Sequence, residues 1–147
     1  MSIKQVEPPQ AYEILQHNPD AIYVDVRTEE EFTQGHPAGA INLPVVFLEP
    51  GAAPEPNPSF LDVAQKVLPP GRKLVVGCMA GGRSQRACEI LEQAGYSDLI
   101  NVRGGFGGAR DATGKIVVIG WRDAGLPVSR ESGDSSYPSL REKAGIK

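Results

Sequence analysis

Residues 73–84 have the sequence Lys73-Leu74-Val75-Val76-Gly77-Cys78-Met79-Ala80-Gly81-Gly82-Arg83-Ser84. A short apolar run that ends in glycine predicts a buried strand, and the residues from Arg83 to Ala94 have helical periodicity, with Gly95 placed to end the helix. Cys78 is therefore expected in a glycine-rich loop between a strand and the start of a helix. Because loop amides and the positive end of a helix both stabilise negative charge, this context predicts a thiolate at Cys78 and a site for an anionic substrate.

The spacing within this loop limits the reaction class. Arg83 follows Cys78 by five positions and is itself followed by Ser84. The loop of a cysteine phosphatase, which circles a tetrahedral phosphate, places its arginine one position further along. The shorter ring therefore argues against a phosphatase or an arsenate reductase.

Three segments resemble one known family. The pattern Cys-x-x-Gly-x-Arg-Ser at residues 78–84 resembles the active-site loop of the rhodanese (thiosulfate sulfurtransferase) family, whose cysteine accepts a sulfane sulfur as a persulfide. Residues 24–44 resemble the family segment Asp-Val-Arg…Glu-Phe…Gly-His-x-x-Gly-Ala-x-Asn-x-Pro. The C-terminal element of the family is similar to Gly104-Gly105-Phe106, Trp121 and Gly125-Leu126-Pro127-Val128. Together these segments span about residues 5 to 129 in the family's order.

The resemblance and the alternation of strands with helices predict the same architecture. We expect an α/β fold, a rhodanese-like three-layer domain with a mainly parallel central sheet and helices on both faces. The chain of 147 residues has room for one such domain and not for the tandem form. We expect the domain to occupy residues 1–130 and residues 131–147, rich in Ser, Gly and charge, to form a mobile tail.

The local pattern predicts the individual elements. Residues 49–58 hold four prolines and are expected to form a surface loop. Thr28 and Glu31 form a capping-box pattern at the start of a short helix. Helices are expected over residues 8–17, 28–34, 60–68 and 83–94, and strands over 21–26, 40–43, 73–77, 99–102 and, as an extended segment, 116–119.

The resemblance implies a function and a set of site residues. It implies a sulfurtransferase in which Cys78 is catalytic and moves a sulfane sulfur from thiosulfate or a persulfide to cyanide or a thiol, with no metal and no cofactor. The substrate-binding residues would be Met79, Ala80, Gly81, Gly82, Arg83 and Ser84, and the supporting residues Asp25 and Arg27. A non-enzymatic alternative is a persulfide carrier or a redox-sensing module that exchanges sulfur with a protein partner.

Several side chains have more than one interpretation. Arg83 is either an anion clamp or a surface charge, and Ser84 could cap the helix or donate its hydroxyl to the persulfide. His36 could be a general base, although the Gly-His-Pro-x-Gly pattern favours a structural turn. Cys88 is expected to pack in the core, because it shares a helical stripe with Ala87, Leu91 and Ala94. Asp25 and Arg27 are expected to form a structural ion pair or backbone brace.

The positions after Cys78 bear on the donor. Met79 and Ala80 are uncharged, whereas many rhodaneses with strong thiosulfate activity have basic residues there. Arg83 would then be the one charge that the loop supplies. This composition favours a neutral or protein-bound persulfide over dianionic thiosulfate as the donor.

The overall charge limits the partners. The chain has 15 Lys and Arg against 18 Asp and Glu, a net charge of −3, and the two signs are scattered. We therefore expect no nucleic-acid and no membrane partner. The first residues lack a signal-peptide pattern and no apolar run approaches the roughly 20 residues of a membrane span, so a cytoplasmic location is expected. The two cysteines do not suggest a disulfide framework.

Overall fold

A computed structural model describes residues 3–146. The strands, in chain order, are β1 (Ile3–Val6), β2 (Ile22–Asp25), β3 (His36–Pro37), β4 (Ile41–Asn42), β5 (Val46–Phe47), β6 (Glu55–Pro56), β7 (Leu74–Gly77), β8 (Leu99–Val102), β9 (Ala109–Arg110), β10 (Ile116–Val118) and β11 (Val128–Ser129). The α-helices are α1 (Pro8–His17), α2 (Glu29–Gln34), α3 (Phe60–Val67), α4 (Gly82–Gln93) and α5 (Tyr137–Ala144), with a 3₁₀ turn at Gly133–Ser135. The helices predicted over residues 8–17, 28–34, 60–68 and 83–94 are present, with ends that differ by at most one residue.

Five strands form the central sheet in the order β1-β8-β7-β2-β4, and every neighbouring pair is parallel. The strands are short apolar runs, so both faces of the sheet must be covered. Alternate residues point to opposite faces: Leu74 and Val76 of β7 join one core cluster, and Val75 joins the other. The predicted α/β fold with a mainly parallel sheet is confirmed.

The two core clusters identify the outer layers. The first contains apolar residues of α3, α4 and α5, and the second contains residues of α1 and α2 together with Phe106 and Trp121. Trp121 is 1 % exposed and makes edge-to-face contacts with Tyr12 and Tyr23. The expected three-layer arrangement is therefore present, and Trp121 packs within the second cluster.

The register of the sheet places several loops at one edge. Asp25, the last residue of β2, lies opposite Gly77, the last residue of β7. The loops that follow β2, β7 and β8 therefore leave the same edge side by side. In parallel α/β sheets, this carboxyl edge is where ligands bind.

Several elements were not predicted, and two of them, β1 and β11, lie near the ends of the described chain. The N-terminal residues form β1, which pairs with β8 from Ile3 opposite Leu99 to Val6 opposite Val102. Near the other end of the domain, β11 pairs antiparallel with β3, so that Val128 lies opposite Pro37. A smaller difference concerns residues 49–58, where β6 forms a short antiparallel pair with β5.

The C-terminal segment requires a correction. Residues 131–147 were expected to be a mobile tail, but α5 packs against α3, with Tyr137 2 % and Leu140 3 % exposed. The Asn57 Nδ2 donates a hydrogen bond to the Tyr137 hydroxyl at 2.8 Å. Ser136 caps the helix by accepting from the Ser139 N–H. Tyr137 and Leu140 therefore dock this segment on the core, and Ala144 and Ile146 pack beside them.

Candidate active site

The glycine-rich loop surrounds Cys78 as its sequence suggested. β7 ends at Gly77, Cys78 is 2 % exposed, and α4 begins at Gly82. The Gly81 N–H donates a hydrogen bond to the Cys78 Sγ at 3.0 Å. Gly81 has φ +121°, a conformation that favours glycine, and this backbone turns its N–H back toward the sulfur.

A second segment fixes the orientation of the loop peptides. The N–H groups of Phe106, Gly107 and Gly104 donate to the carbonyls of Cys78, Met79 and Ala80, at 2.8, 2.8 and 3.1 Å. The loop carbonyls are therefore directed outward, toward residues 104–107. Since a peptide N–H points opposite to its carbonyl, this arrangement directs loop amides toward the interior of the loop.

The start of α4 adds to this donor set. The Gln85 N–H, which bonds to the Gly81 carbonyl at 3.1 Å, makes the first bond of the helical ladder. The amides of residues 82–84 precede that bond and carry the positive end of the helix dipole. Cys78 thus lies where converging amides stabilise an anion.

The approach of residues 104–107 requires glycine. Gly105 has φ +49°, and a Cβ at this position would meet the Cys78 carbonyl oxygen at 2.2 Å. A Cβ on Gly107 would meet the Met79 sulfur at 2.5 Å. Any side chain at Gly105 would push apart the two segments that form the loop.

Arg83 is not directed at solvent. Its Nη1 and Nη2 donate to Oε1 and Oε2 of Glu31, at 2.7 and 3.0 Å. Burial alone would raise the pKa of Glu31, but bonds from Arg83 and from Thr28 outweigh it and lower this pKa below its ordinary value. The sequence predicted Glu31 as the capping-box residue of α2, which it is, but missed it as the partner of Arg83.

Ser84 differs from the expectation of a cap or a persulfide donor. Its side chain is fully buried, and its hydroxyl contacts the Gly81 carbonyl and the Asn101 Oδ1. Asn101 in turn donates to the Gln5 Oε1 at 2.8 Å. α4 has Gly81 as its N-cap and no side-chain cap. The backbone N–H is therefore the group of Ser84 that remains for the loop.

Asp25 and Arg27 form the expected structural brace. Nη2 of Arg27 lies 2.7 Å from Oδ2 of Asp25, and both side chains are almost fully buried. Arg27 also donates to the Gly35 carbonyl at 2.7 Å, and its guanidinium lies 4.5 Å from the centre of the Phe106 ring. Because a buried charge must be paired, this network connects the end of β2 to the segment that orients the loop.

Three other titratable side chains have structural surroundings. Cys88 is fully buried, and burial, with a smaller contribution from nearby Glu89, raises the pKa of its thiol to about 12. His36 is 2 % exposed, its Nδ1 lies 2.7 Å from the Phe32 carbonyl, and its ring stacks on the Phe32 ring. His17 is exposed at the end of α1. The positions of Cys88 and His36 agree with the packed thiol and the structural turn that the sequence suggested.

A cleft of about 300 Å³ opens beside the loop. Met79 lies in its wall, and so do two exposed arginines, Arg122 and Arg130, which the sequence reasoning did not identify. No pattern in the sequence places these arginines next to Met79. The residues that line the cleft are Arg27, Glu31, Gln34, Gly35, Met79, Phe106, Arg122, Val128 and Arg130.

Residues 3–146 lack the features of two other classes of site. No group of three or more His, Cys, Asp and Glu side chains in this part of the chain is arranged to hold a metal ion. Within the same residues, no helix has the length and apolar character needed to cross a bilayer.

The fold and the cysteine loop are those of a known family. The model of the rhodanese-like domain matches residues 7–112, and this chain belongs to that family. The similar proteins include thiosulfate sulfurtransferase 16, chloroplastic, of Arabidopsis thaliana, which is 41 % identical over 85 residues, or 57 % of this chain and 69 % of that protein. Thiosulfate sulfurtransferase 18 of the same plant is 33 % identical over 116 residues, 78 % of this chain and 76 % of that protein.

A solved structure supports the same assignment. The crystal structure of Rv0390 from M. tuberculosis has a TM-score of 0.75 and 31 % identity, and the match covers 89 % of this chain and all of that one. Relatives named as sulfurtransferases at this level of identity support sulfurtransferase activity in general. The predicted family and fold are thus confirmed.

Proposed function

We propose that this protein is a sulfurtransferase that moves a sulfane sulfur from a donor to a thiophilic acceptor through a persulfide on Cys78. The observation that carries the proposal is the hydrogen bond from the Gly81 N–H to the Cys78 Sγ, 3.0 Å long, at the start of α4. A sulfur that accepts from a loop amide beside a helix N-terminus is stabilised as the thiolate, which is the form that attacks a sulfane sulfur.

The reaction has two halves. In the first, the Cys78 thiolate attacks the outer sulfur of thiosulfate and forms an S–S bond, and sulfite leaves with the electron pair of the broken bond. A thiolate and a dianion thereby become a persulfide anion and a sulfite dianion. In the second, cyanide attacks the outer sulfur of the persulfide and leaves as thiocyanate, which restores the thiolate. An ionised nucleophile requires no general base, so His36 has no step in this scheme.

Arg83 has a defined part in the first half. Its pair with Glu31 uses one edge of the guanidinium and leaves the remaining N–H groups, including Nε–H, to donate to an anion. Since the pair is bidentate, Glu31 fixes the plane as well as the position of the guanidinium. We assign Arg83 to stabilising the negative charge at the loop, and Glu31 to positioning Arg83.

The test combines intact-mass analysis with turnover. The wild-type protein, incubated with thiosulfate and separated from it, is expected to gain the mass of one sulfur atom and to lose it on addition of cyanide, with formation of thiocyanate. Cys78→Ser is expected to gain nothing and to form no thiocyanate, while thermal unfolding shows that it is folded. Transfer of sulfur by Cys78→Ser would refute the proposal.

The same measurements separate the alternatives. A persulfide carrier would gain one sulfur and pass it to a protein thiol without steady turnover of small donors. A phosphatase would hydrolyse a phosphate ester and gain no sulfur. Steady formation of thiocyanate, dependent on Cys78, distinguishes the enzyme from both.

A further inference from the structure

The cleft beside Met79 adjoins the reactive loop, and its wall includes Glu31, the partner of Arg83. Phe106 lies in its wall, and the N–H of this residue is bonded to the Cys78 carbonyl at 2.8 Å. Met79, the residue after the nucleophile, also lies in the wall. A larger hollow of about 480 Å³ lies among the residues that precede the strands, at the opposite edge of the sheet, and adjoins no nucleophile.

The charges that line this cleft do not cancel. The Arg27 charge is compensated by Asp25, and the Glu31 charge is compensated by Arg83. Arg122 faces Asp123 at 3.4 Å, but both side chains are more than half exposed, so the pair is weak. Arg130 has no carboxylate within 4.0 Å among residues 3–146. The surplus charge of the cleft is positive and resides on Arg122 and Arg130.

The fold holds both arginines in place. The Arg122 N–H donates to the Phe106 carbonyl at 3.1 Å, and its guanidinium lies 5.6 Å from the centre of the Phe106 ring. The preceding residue, Trp121, is anchored by its indole N–H, which donates to the Pro127 carbonyl at 2.7 Å. Arg130 follows β11, and its Nε donates to the Gln34 carbonyl at 3.3 Å. The terminal N–H groups of both guanidiniums remain for a ligand.

We propose that Arg122 and Arg130 recognise the anionic part of the sulfur donor, the part that leaves as sulfite when thiosulfate is used. This inference rests on the proposed function and names the specificity residues of that site. The two guanidiniums supply the positive charge that Met79 and Ala80 lack, so the dianion is attracted from the side of the cleft. The chemistry of the step is unchanged: the S–S bond of the donor breaks, sulfite leaves with its electron pair, and both arginines remain protonated.

The proposal reverses one expectation from the sequence. The uncharged residues after Cys78 favoured a neutral persulfide over thiosulfate. With Arg83 held by Glu31, and with two arginines across the cleft, positive charge comes from the C-terminal element instead. We therefore expect an anionic donor to be captured efficiently.

The kinetic test uses the double variant Arg122→Gln/Arg130→Gln in the full chain. The KM for thiosulfate is expected to rise about tenfold, because each lost charge-assisted hydrogen bond weakens anion binding. The kcat and the rate with a neutral alkyl persulfide as donor are expected to change less than twofold. The difference in the KM for thiosulfate between the wild type and the double variant is expected to become smaller in high salt, because salt screens exposed charges.

The matched control is Arg110→Gln. Arg110 is also an exposed arginine of the C-terminal element, but it bonds to the Gly114 carbonyl and does not line the cleft. Its KM for thiosulfate is expected to equal that of the wild type. Equal effects of this control and of the double variant, or no effect of the double variant, would overturn the proposal.

A binding measurement separates this proposal from the proposed function. Sulfite is titrated into Cys78→Ser and into the same variant with Arg122→Gln/Arg130→Gln, by calorimetry. We expect weaker binding without the arginines, whether or not the wild type turns over any donor. If sulfur transfer fails but this difference is found, the proposed function is wrong and the anion site stands. If transfer succeeds but the two proteins bind sulfite equally, the anion site is wrong.

Discussion

Cys78 and Cys88 lie ten residues apart on either side of the start of α4, and both are buried. Both belong to the same apolar core cluster, but Cys78 also accepts a hydrogen bond from a loop amide. Burial raises the pKa of Cys88 to about 12. The orientation of the surrounding peptides, and not burial alone, therefore distinguishes the thiol that we propose to be reactive from Cys88.

The largest expected difference is in alkylation. At pH 8, a thiol with a pKa of about 12 is ionised in only about one molecule in ten thousand, so Cys88 should remain unmodified in the folded protein. We expect iodoacetamide to modify Cys78 at least about a hundredfold faster than Cys88. Peptide mapping by mass spectrometry measures the two rates. Equal rates in the folded protein would contradict the expected difference between the two thiols. As a control, the two rates should become equal after unfolding in urea.

Gly105→Ala tests whether residues 104–107 create the surroundings of Cys78. A Cβ at Gly105 would lie 2.2 Å from the Cys78 carbonyl oxygen. The loop must therefore move, and its amides no longer point toward the Cys78 sulfur. We expect kcat/KM for sulfur transfer to fall about a hundredfold, as for the loss of a transition-state donor.

The control for this variant is Gly125→Ala. Gly125 also has positive φ, +78°, but a Cβ there meets nothing within 4 Å. This variant should carry the backbone strain of a positive φ without the clash, and should keep most of the activity. Equal losses in the two variants would assign the effect to backbone strain.

Cys88→Ser addresses the other side of the comparison. Burying a hydroxyl in an apolar cluster is expected to lower the free energy of unfolding by about 1–3 kcal/mol, measured by urea denaturation. Sulfur transfer at a temperature where the variant is folded should be unchanged. A folded Cys88→Ser without activity would mean that this thiol takes part in the transfer.

Glu31→Gln is expected to have the smallest effect on stability. Gln preserves the capping box of α2 but removes the charge that holds Arg83. The pKa of Glu31 is lowered in the folded protein, so its contribution to stability is complete above the unfolded value of about 4.3 and is lost as the pH falls through the folded value. Thermal unfolding between pH 3 and pH 7 should therefore show a shallower acid limb in the variant, with a difference at neutral pH of at most about 1 kcal/mol.

The same variant also tests the positioning of Arg83. We expect a rise in the KM for thiosulfate with little change in the rate with a neutral persulfide donor, because the guanidinium loses its fixed plane. Glu30→Gln is the matched control, since Glu30 is exposed on the same helix. An effect of Glu30→Gln as large as that of Glu31→Gln would assign both to the general charge of α2.

Local signals explain what could be predicted. The apolar run that forms β7, the glycines after it and the capping box at Thr28 each depend on neighbours within a few residues, and the structure contains all three. The family pattern also located Cys78 in its loop. The Asp25–Arg27 brace could be predicted because the two residues lie two positions apart at the end of β2.

The features that could not be predicted from the sequence depend on contacts between distant residues. Three acidic residues, 29–31, follow one another, and nothing local tells which of them meets Arg83, 52 residues later. β1 contains only two apolar residues. It is a strand because it pairs with β8, which lies more than 90 residues later in the sequence. The docking of α5 could not be predicted from its own sequence, because its two buried residues, Tyr137 and Leu140, pack against the distant helix α3. Arg122 and Arg130 could not be identified either, because the residues that line their cleft are far apart in the sequence.

The bonds from residues 104–107 to the loop carbonyls have a consequence for biosynthesis. A nascent chain that ends before Gly104 already contains Cys78, but nothing turns the peptides of the loop toward its sulfur. The proposed nucleophile therefore acquires the surroundings of its sulfur only when a late segment closes a contact that is distant in sequence. We expect the unfinished chain to carry an ordinary thiol on the ribosome, so that sulfur chemistry begins only after the domain has closed.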